Sequence, residues 1–105
     1  HGEAIEYKSF PEVVDSIIYD WAVVHNNLGT IYEKQNKLNE AIAEYEKAIT
    51  IKPDYADAHY NMAVAYWRLK SWQKVIENLE NVLRINPNHT DAQKYLFFAR
   101  KNAGL

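Results

Sequence analysis

The 105 residues suffice for one domain, and the balance of 48% hydrophobic to 25% charged residues excludes a wholly disordered chain. A net charge of −2 with no basic run gives no electrostatic case for nucleic acid or an anionic membrane, and the absence of cysteine excludes disulfides, thiolate metal sites and a cysteine nucleophile. Three glycines and three prolines are too few turn signals for a multi-stranded sheet, so the composition predicts an all-α chain of long helices.

The chain opens HGEAIEY, without Met or an apolar leader, which reads as a processed or recombinant start. Residues 1–10 carry no periodicity, and His1 is expected in solvent. No window approaches 18 apolar residues, so no membrane insertion is predicted. Pro11 then opens a helical stretch, PEVVDSIIYDWA.

From residue 22 the chain repeats itself with a period of 34. Ala22, His25, Asn27 and Tyr32 recur as Ala56, His59, Asn61 and Tyr66, and Ile42, Glu46, Ile51 and Pro53 recur as Ile76, Glu80, Ile85 and Pro87. Apolar residues at three and four spacing predict a first helix at 22–35 and 56–69 and a second at 38–51 and 72–85. Asn36-Lys37 and Lys70-Ser71 turn the chain within each unit. Pro53 and Pro87 end the second helices, and Asp54 and Asn88 are the natural caps for the helices that follow. A last helix starts at Thr90, with Gly104 as its stop and His89 in solvent. In the same register Glu12, Ile17, Asp20, Trp21 and Ala22 fall on Glu46, Ile51, Asp54, Tyr55 and Ala56, so the upstream stretch reads as the tail of a degenerate preceding unit.

On these residues the chain resembles the tetratricopeptide repeat (TPR) family. The family pattern is met in the first unit by Leu28, Gly29, Tyr32, Ala41, Tyr45, Ala48 and Pro53, with His25 at its large position, and more loosely in the second by His59, Met62, Ala63, Tyr66, Val75, Leu79, Val82 and Pro87. The resemblance implies a right-handed α-solenoid. Its parts are an N-terminal segment with a degenerate half-repeat helix (1–21), repeats at 22–55 and 56–89, and a C-terminal capping helix (90–105). Gly29 and Ala63 sit where the two helices of a unit cross, and the equivalent Phe97 departs from that pattern, which leaves an exposed ring or a contact with another molecule, including a second copy.

The chemistry of catalysis is missing from the sequence. There is no Gly-rich phosphate loop, no G-x-S-x-G and no H-E-x-x-H. His25 and His59 supply at most half of a zinc site and are expected to pack between helices, and Asp57 and Asp91 are first-turn acids that offset the helix dipole. No enzyme activity, cofactor or metal is predicted, and the residues name no compartment.

The resemblance instead implies a protein-interaction module whose first helices line a concave groove. There Tyr60, Trp67, Tyr95 and Phe98 form an aromatic patch flanked by Arg68 and Lys94, the usual composition of binding hot spots. Asn27 and Asn61 stand where repeats of this family hydrogen-bond the backbone of a bound peptide. The two-carboxylate clamp of the chaperone-binding subfamily requires Lys, Asn, Asn, Lys and Arg. Its places hold Asn26, Thr30, Asn61, Asp91 and Tyr95, so no binding of acidic chaperone tails is expected. The alternative function is a self-associating scaffold that uses the N-terminal segment or the Phe97 face.

Overall fold

The computed structural model describes residues 10–105, and His1 and the first nine residues of the N-terminal segment lie outside the described part. Five α-helices follow one another: α1 (Phe10–Lys34), α2 (Leu38–Ile51), α3 (Ala56–Arg68), α4 (Trp72–Ile85) and α5 (Thr90–Asn102). Each packs on the next and α1 also touches α3, the pattern of a helical solenoid.

α1, α3 and α5 end in one and the same way. The last residue but one of each cap adopts a left-handed conformation, at Asn36 (φ 62), Lys70 (φ 59) and Gly104 (φ 83). The next amide then reaches back to a carbonyl in the last turn, Lys37 N to Tyr32 O at 2.8 Å, Ser71 N to Tyr66 O at 3.0 Å and Leu105 N to Arg100 O at 2.8 Å. This closure satisfies carbonyls that a helix end would otherwise orphan and lets the chain reverse in a few residues.

At the other corners the helices begin one residue later than the capping pattern predicts. Tyr55 and His89, rather than Asp54 and Asn88, hold the cap positions of α3 and α5. After Pro53 the Tyr55 amide bonds to Lys52 O at 3.1 Å, which places Asp54 inside the turn, where it pairs with Lys52 at 3.3 Å. At the second corner the His89 ring accepts the Ala92 amide at 3.0 Å.

The N-terminal stretch and the first repeat helix are one continuous 25-residue helix. The residue at the place of Pro53 and Pro87 is Tyr19, which keeps its N–H and lets the helix run through.

The core consists of two clusters. One joins Ala63 of α3 to Val75, Ile76, Leu79 and Val82 of α4 and Ala92, Leu96 and Ala99 of α5. The other joins Ala41, Ile42 and Tyr45 of α2 to Met62 and Ala65 of α3. Gly29 shows why a small residue is needed where α1 crosses α2, since a Cβ there would overlap the Tyr45 ring. In the second unit Tyr45 becomes Leu79, and Ala63 fits where Gly29 was needed. Phe97 occupies the same place in α5 and is 59% exposed.

Candidate peptide-binding groove

α3 and α5 present their first-helix faces side by side, and between them and α4 lies a cleft of about 220 Å³ lined by Tyr60, Ala63, Val64, Trp67, Arg68, Val75, Leu79 and Tyr95. Trp67 is its centre. Its ring meets Tyr95 edge-on at 5.6 Å and Trp72 edge-on at 5.1 Å, so α5 and α4 together fix its orientation. Tyr60 is stacked on His89 at 4.9 Å, which holds one face of its ring against the α4–α5 corner. Burial, then the Asp91 carboxylate and Tyr95, push the Tyr60 phenol above its ordinary pKa.

Of the residues singled out in the sequence, Tyr60, Trp67, Arg68 and Tyr95 come together in this cleft. Lys94 and Phe98, also on α5, are not among its lining residues, Lys94 having its ammonium 5.5 Å from the centre of the Tyr95 ring. Phe98 is exposed and meets Phe97 edge-on at 5.5 Å, while Lys101 lies over Phe97 at 5.6 Å.

Arg68 has a second task. Its guanidinium donates to Glu33 O at 3.2 Å and to Asn36 Oδ1 at 2.7 Å, so it closes the end of α1 as well as lining the cleft. Glu33 in turn accepts the Tyr45 hydroxyl at 2.7 Å, and that phenol's pKa is driven up by burial and by this carboxylate.

The two asparagines at equal repeat positions part company. Asn61 donates to Oδ1 of Asn26 at 3.0 Å, and Asn26, itself buried, reaches toward the Tyr55 hydroxyl at 3.5 Å. Asn27 is exposed, and its backbone carbonyl accepts the Thr30 hydroxyl at 2.7 Å. The sequence missed Asn26 as the internal partner of Asn61. The signal was present in the adjacent Asn26-Asn27 pair, of which one member must face the neighbouring helix.

The repeat histidines also differ. His25 Nδ1 lies 2.8 Å from Glu44, whereas His59 is buried with Nε2 donating to Pro53 O at 2.9 Å and no partner at Nδ1. Glu44 recurs as Asn78, whose amide donates instead to Lys74 O at 2.8 Å. His89, expected in solvent, caps α5 and stacks on Tyr60. Among the described residues no cluster of His, Asp and Glu is arranged to hold a metal, and no helix is long and apolar enough to cross a membrane.

A family model described as "TPR repeat" matches residues 29–70, and one described as "Tetratricopeptide repeat" matches residues 56–89. No curated protein matches the chain. Among solved structures, the first TPR of Spaghetti (RPAP3) bound to the HSP90 peptide SRMEEVD superimposes with a TM-score of 0.76 at 29% identity, covering 82% of this chain and 70% of that one. The MamA protein gives 0.79 at 26% identity, covering 83% of this chain and 48% of that one. The N-terminal domain of stress-induced protein-1 from C. elegans gives 0.77 at 20% identity, covering 83% and 74%, a likeness of fold alone. With its 34-residue period, its two matched repeats and this solenoid of five helices, the chain belongs to the tetratricopeptide repeat family.

Proposed function

We propose that the protein is a non-catalytic interaction module that holds a peptide or helix of a partner protein in the groove formed by α3 and α5. The observation that carries this reading is the apolar cleft around Trp67, open to solvent and walled by two aromatic rings that the repeat pattern does not require. Such a cleft takes an apolar or aromatic side chain, with Arg68 in its lining and Lys94 beside Tyr95 to meet an acidic neighbour. The half-buried amide of Asn61 retains its carbonyl oxygen as an acceptor for a partner backbone N–H. The Spaghetti domain, at 29% identity, was solved with a peptide bound, which supports peptide recognition as the use of this fold here.

A peptide library displayed on phage tests the reading. Selected sequences should share an apolar or aromatic anchor, and Tyr95→Ala should weaken them at least about tenfold, the loss of one hot-spot contact. Binding that is unmoved by Tyr95→Ala and by Val64→Lys, which fills the cleft, would sink it.

The ligand class differs from that of the Spaghetti domain. Asp91 and Tyr95 stand where an acidic C-terminus would need cations, and the Asp91 carboxylate is near enough to Tyr60 to raise its pKa. The peptide SRMEEVD should therefore bind more weakly than about 100 μM in calorimetry. Low-micromolar binding would show that other cations, Lys94 among them, replace the clamp.

A further inference from the structure

Along α1 runs a stripe of large apolar side chains at alternating three- and four-residue spacing: Val14, Ile17, Trp21, Val24, Leu28 and Ile31. Ile17 is 50% exposed, Trp21 56%, Val24 44%, Leu28 38% and Ile31 50%. The repeat itself says what should cover them. Val24, Leu28 and Ile31 recur as Ala58, Met62 and Ala65 in α3 and as Ala92, Leu96 and Ala99 in α5, and all six of those are buried. What buries them is the preceding helix: Met62 and Ala65 share a cluster with α2, and Ala92, Leu96 and Ala99 share one with α4. Consecutive helices joined by such short turns run antiparallel. Among the described residues, α1 thus has no antiparallel helix on this face.

Residues 10–18 cannot supply it in their own chain, because the break that would fold them back is absent at Tyr19 and α1 runs straight on for about 37 Å. Those residues nonetheless carry the matching half of the stripe. We propose that α1 pairs antiparallel with α1 of a second copy, so that the N-terminal half of each helix lies on Val24, Leu28 and Ile31 of the other. This is a reciprocal exchange of one helical half-unit.

The spacing is self-complementary. Reversing the stripe on itself sets Val14 against Ile31, Ile17 against Leu28 and Trp21 against Val24, an apolar partner at every level of a seam with three-four periodicity. A parallel pairing would instead set each residue on itself and crowd the two solenoids, both carried on the C-terminal half of α1, at one end. With the neighbouring Val13 and Ile18 the stripe exposes roughly 600 Å² per copy, so the pair buries close to the ~1,200 Å² at which specific interfaces begin. The seam lies on the first repeat, away from the cleft of α3 and α5, so the two can fail independently.

Light scattering and sedimentation of the full chain between roughly 1 and 200 μM should show the mass of one copy rising to that of two. Ile17→Glu should raise the dissociation constant at least about thirtyfold, with helical circular dichroism unchanged because Ile17 is half-exposed in one copy. The chain has no cysteine, so on oxidation the double variant V14C/I31C should give a disulfide-linked dimer and V14C alone should not. One-copy mass at all concentrations would leave the stripe to another protein or to a further segment and overturn the proposal. So would linkage by V14C alone, or a dimer lost with Phe97→Asp but kept with Ile17→Glu.

Discussion

Gly29 is the residue on which the first repeat turns. Its missing side chain lets the Tyr45 ring lie against the backbone of α1, and from there the Tyr45 hydroxyl reaches Glu33 at 2.7 Å. Gly29→Ala therefore trades a gain in helix propensity of about 1 kcal/mol against an overpacked aromatic contact, and the contact wins, because the obstructing atoms belong to a fully buried ring. The variant should lose about 1–3 kcal/mol in urea unfolding. A gain in stability would mean that the ring moves freely. Glu44 is a second single-residue test, on the acid side. Its carboxyl is held below its ordinary 4.5 chiefly by the hydrogen bond from His25, with burial opposing and Lys47 assisting. A carboxylate whose pKa falls on folding binds fewer protons folded than unfolded, so its contribution is full above 4.5 and is lost as pH falls through the lowered value. Glu44→Gln should cost less than about 1 kcal/mol at neutral pH, since Lys47 is exposed and His25 is in partial contact with solvent, and nothing at pH 2. An equal deficit at both pH values would assign the loss to packing.

At the scale of helices, the three matching closures at Asn36, Lys70 and Gly104 show what the 34-residue period conserves physically, namely a left-handed residue at the end of each first helix. Lysine is the poorest of the three choices. Lys70→Gly should stabilise the chain by about 0.5–1 kcal/mol, measured as a rise in the urea midpoint at constant slope. Much of this was legible in the sequence: the bounds of α2 and α4 follow from apolar periodicity and from the turn residues on either side. The continuity of α1 was also written there, as Tyr19 in the place of proline, yet the apolar matches of Ile17 and Ala22 to Ile51 and Ala56 favoured reading two helices. The candidate site was legible only in part. A repeat register says which face a side chain leaves, so Tyr60, Trp67 and Tyr95 could be grouped, but it does not say what the side chain then bonds to. Arg68 reaching Asn36, Asn61 meeting Asn26 and His89 capping α5 are contacts between units, set by the angle and rise of the stack.

Across the whole molecule the two core clusters have α3 in common. It gives Ala63 to one and Met62 and Ala65 to the other, and Tyr66 packs against both. A solenoid with nearest-neighbour contacts unfolds cooperatively only as far as its interfaces carry the coupling, so α3 is where the first repeat and the cap of α5 sense each other. Met62→Ala should cost about 2–5 kcal/mol, as for a buried methionine that leaves a cavity. Its reach is the sharper test. Hydrogen exchange in the parent chain, diluted to where it is a single copy, should be slowest in α3 and α4 and fastest in residues 10–18, where Val13, Ile17 and Ile18 are exposed. If α3 couples the clusters, Met62→Ala should accelerate exchange in α4 and α5, which contribute no residue to Met62's cluster, as well as in α2. Acceleration confined to α1 and α2 would mean instead that the α3–α5 unit folds by itself and that the first repeat is an appendage to it.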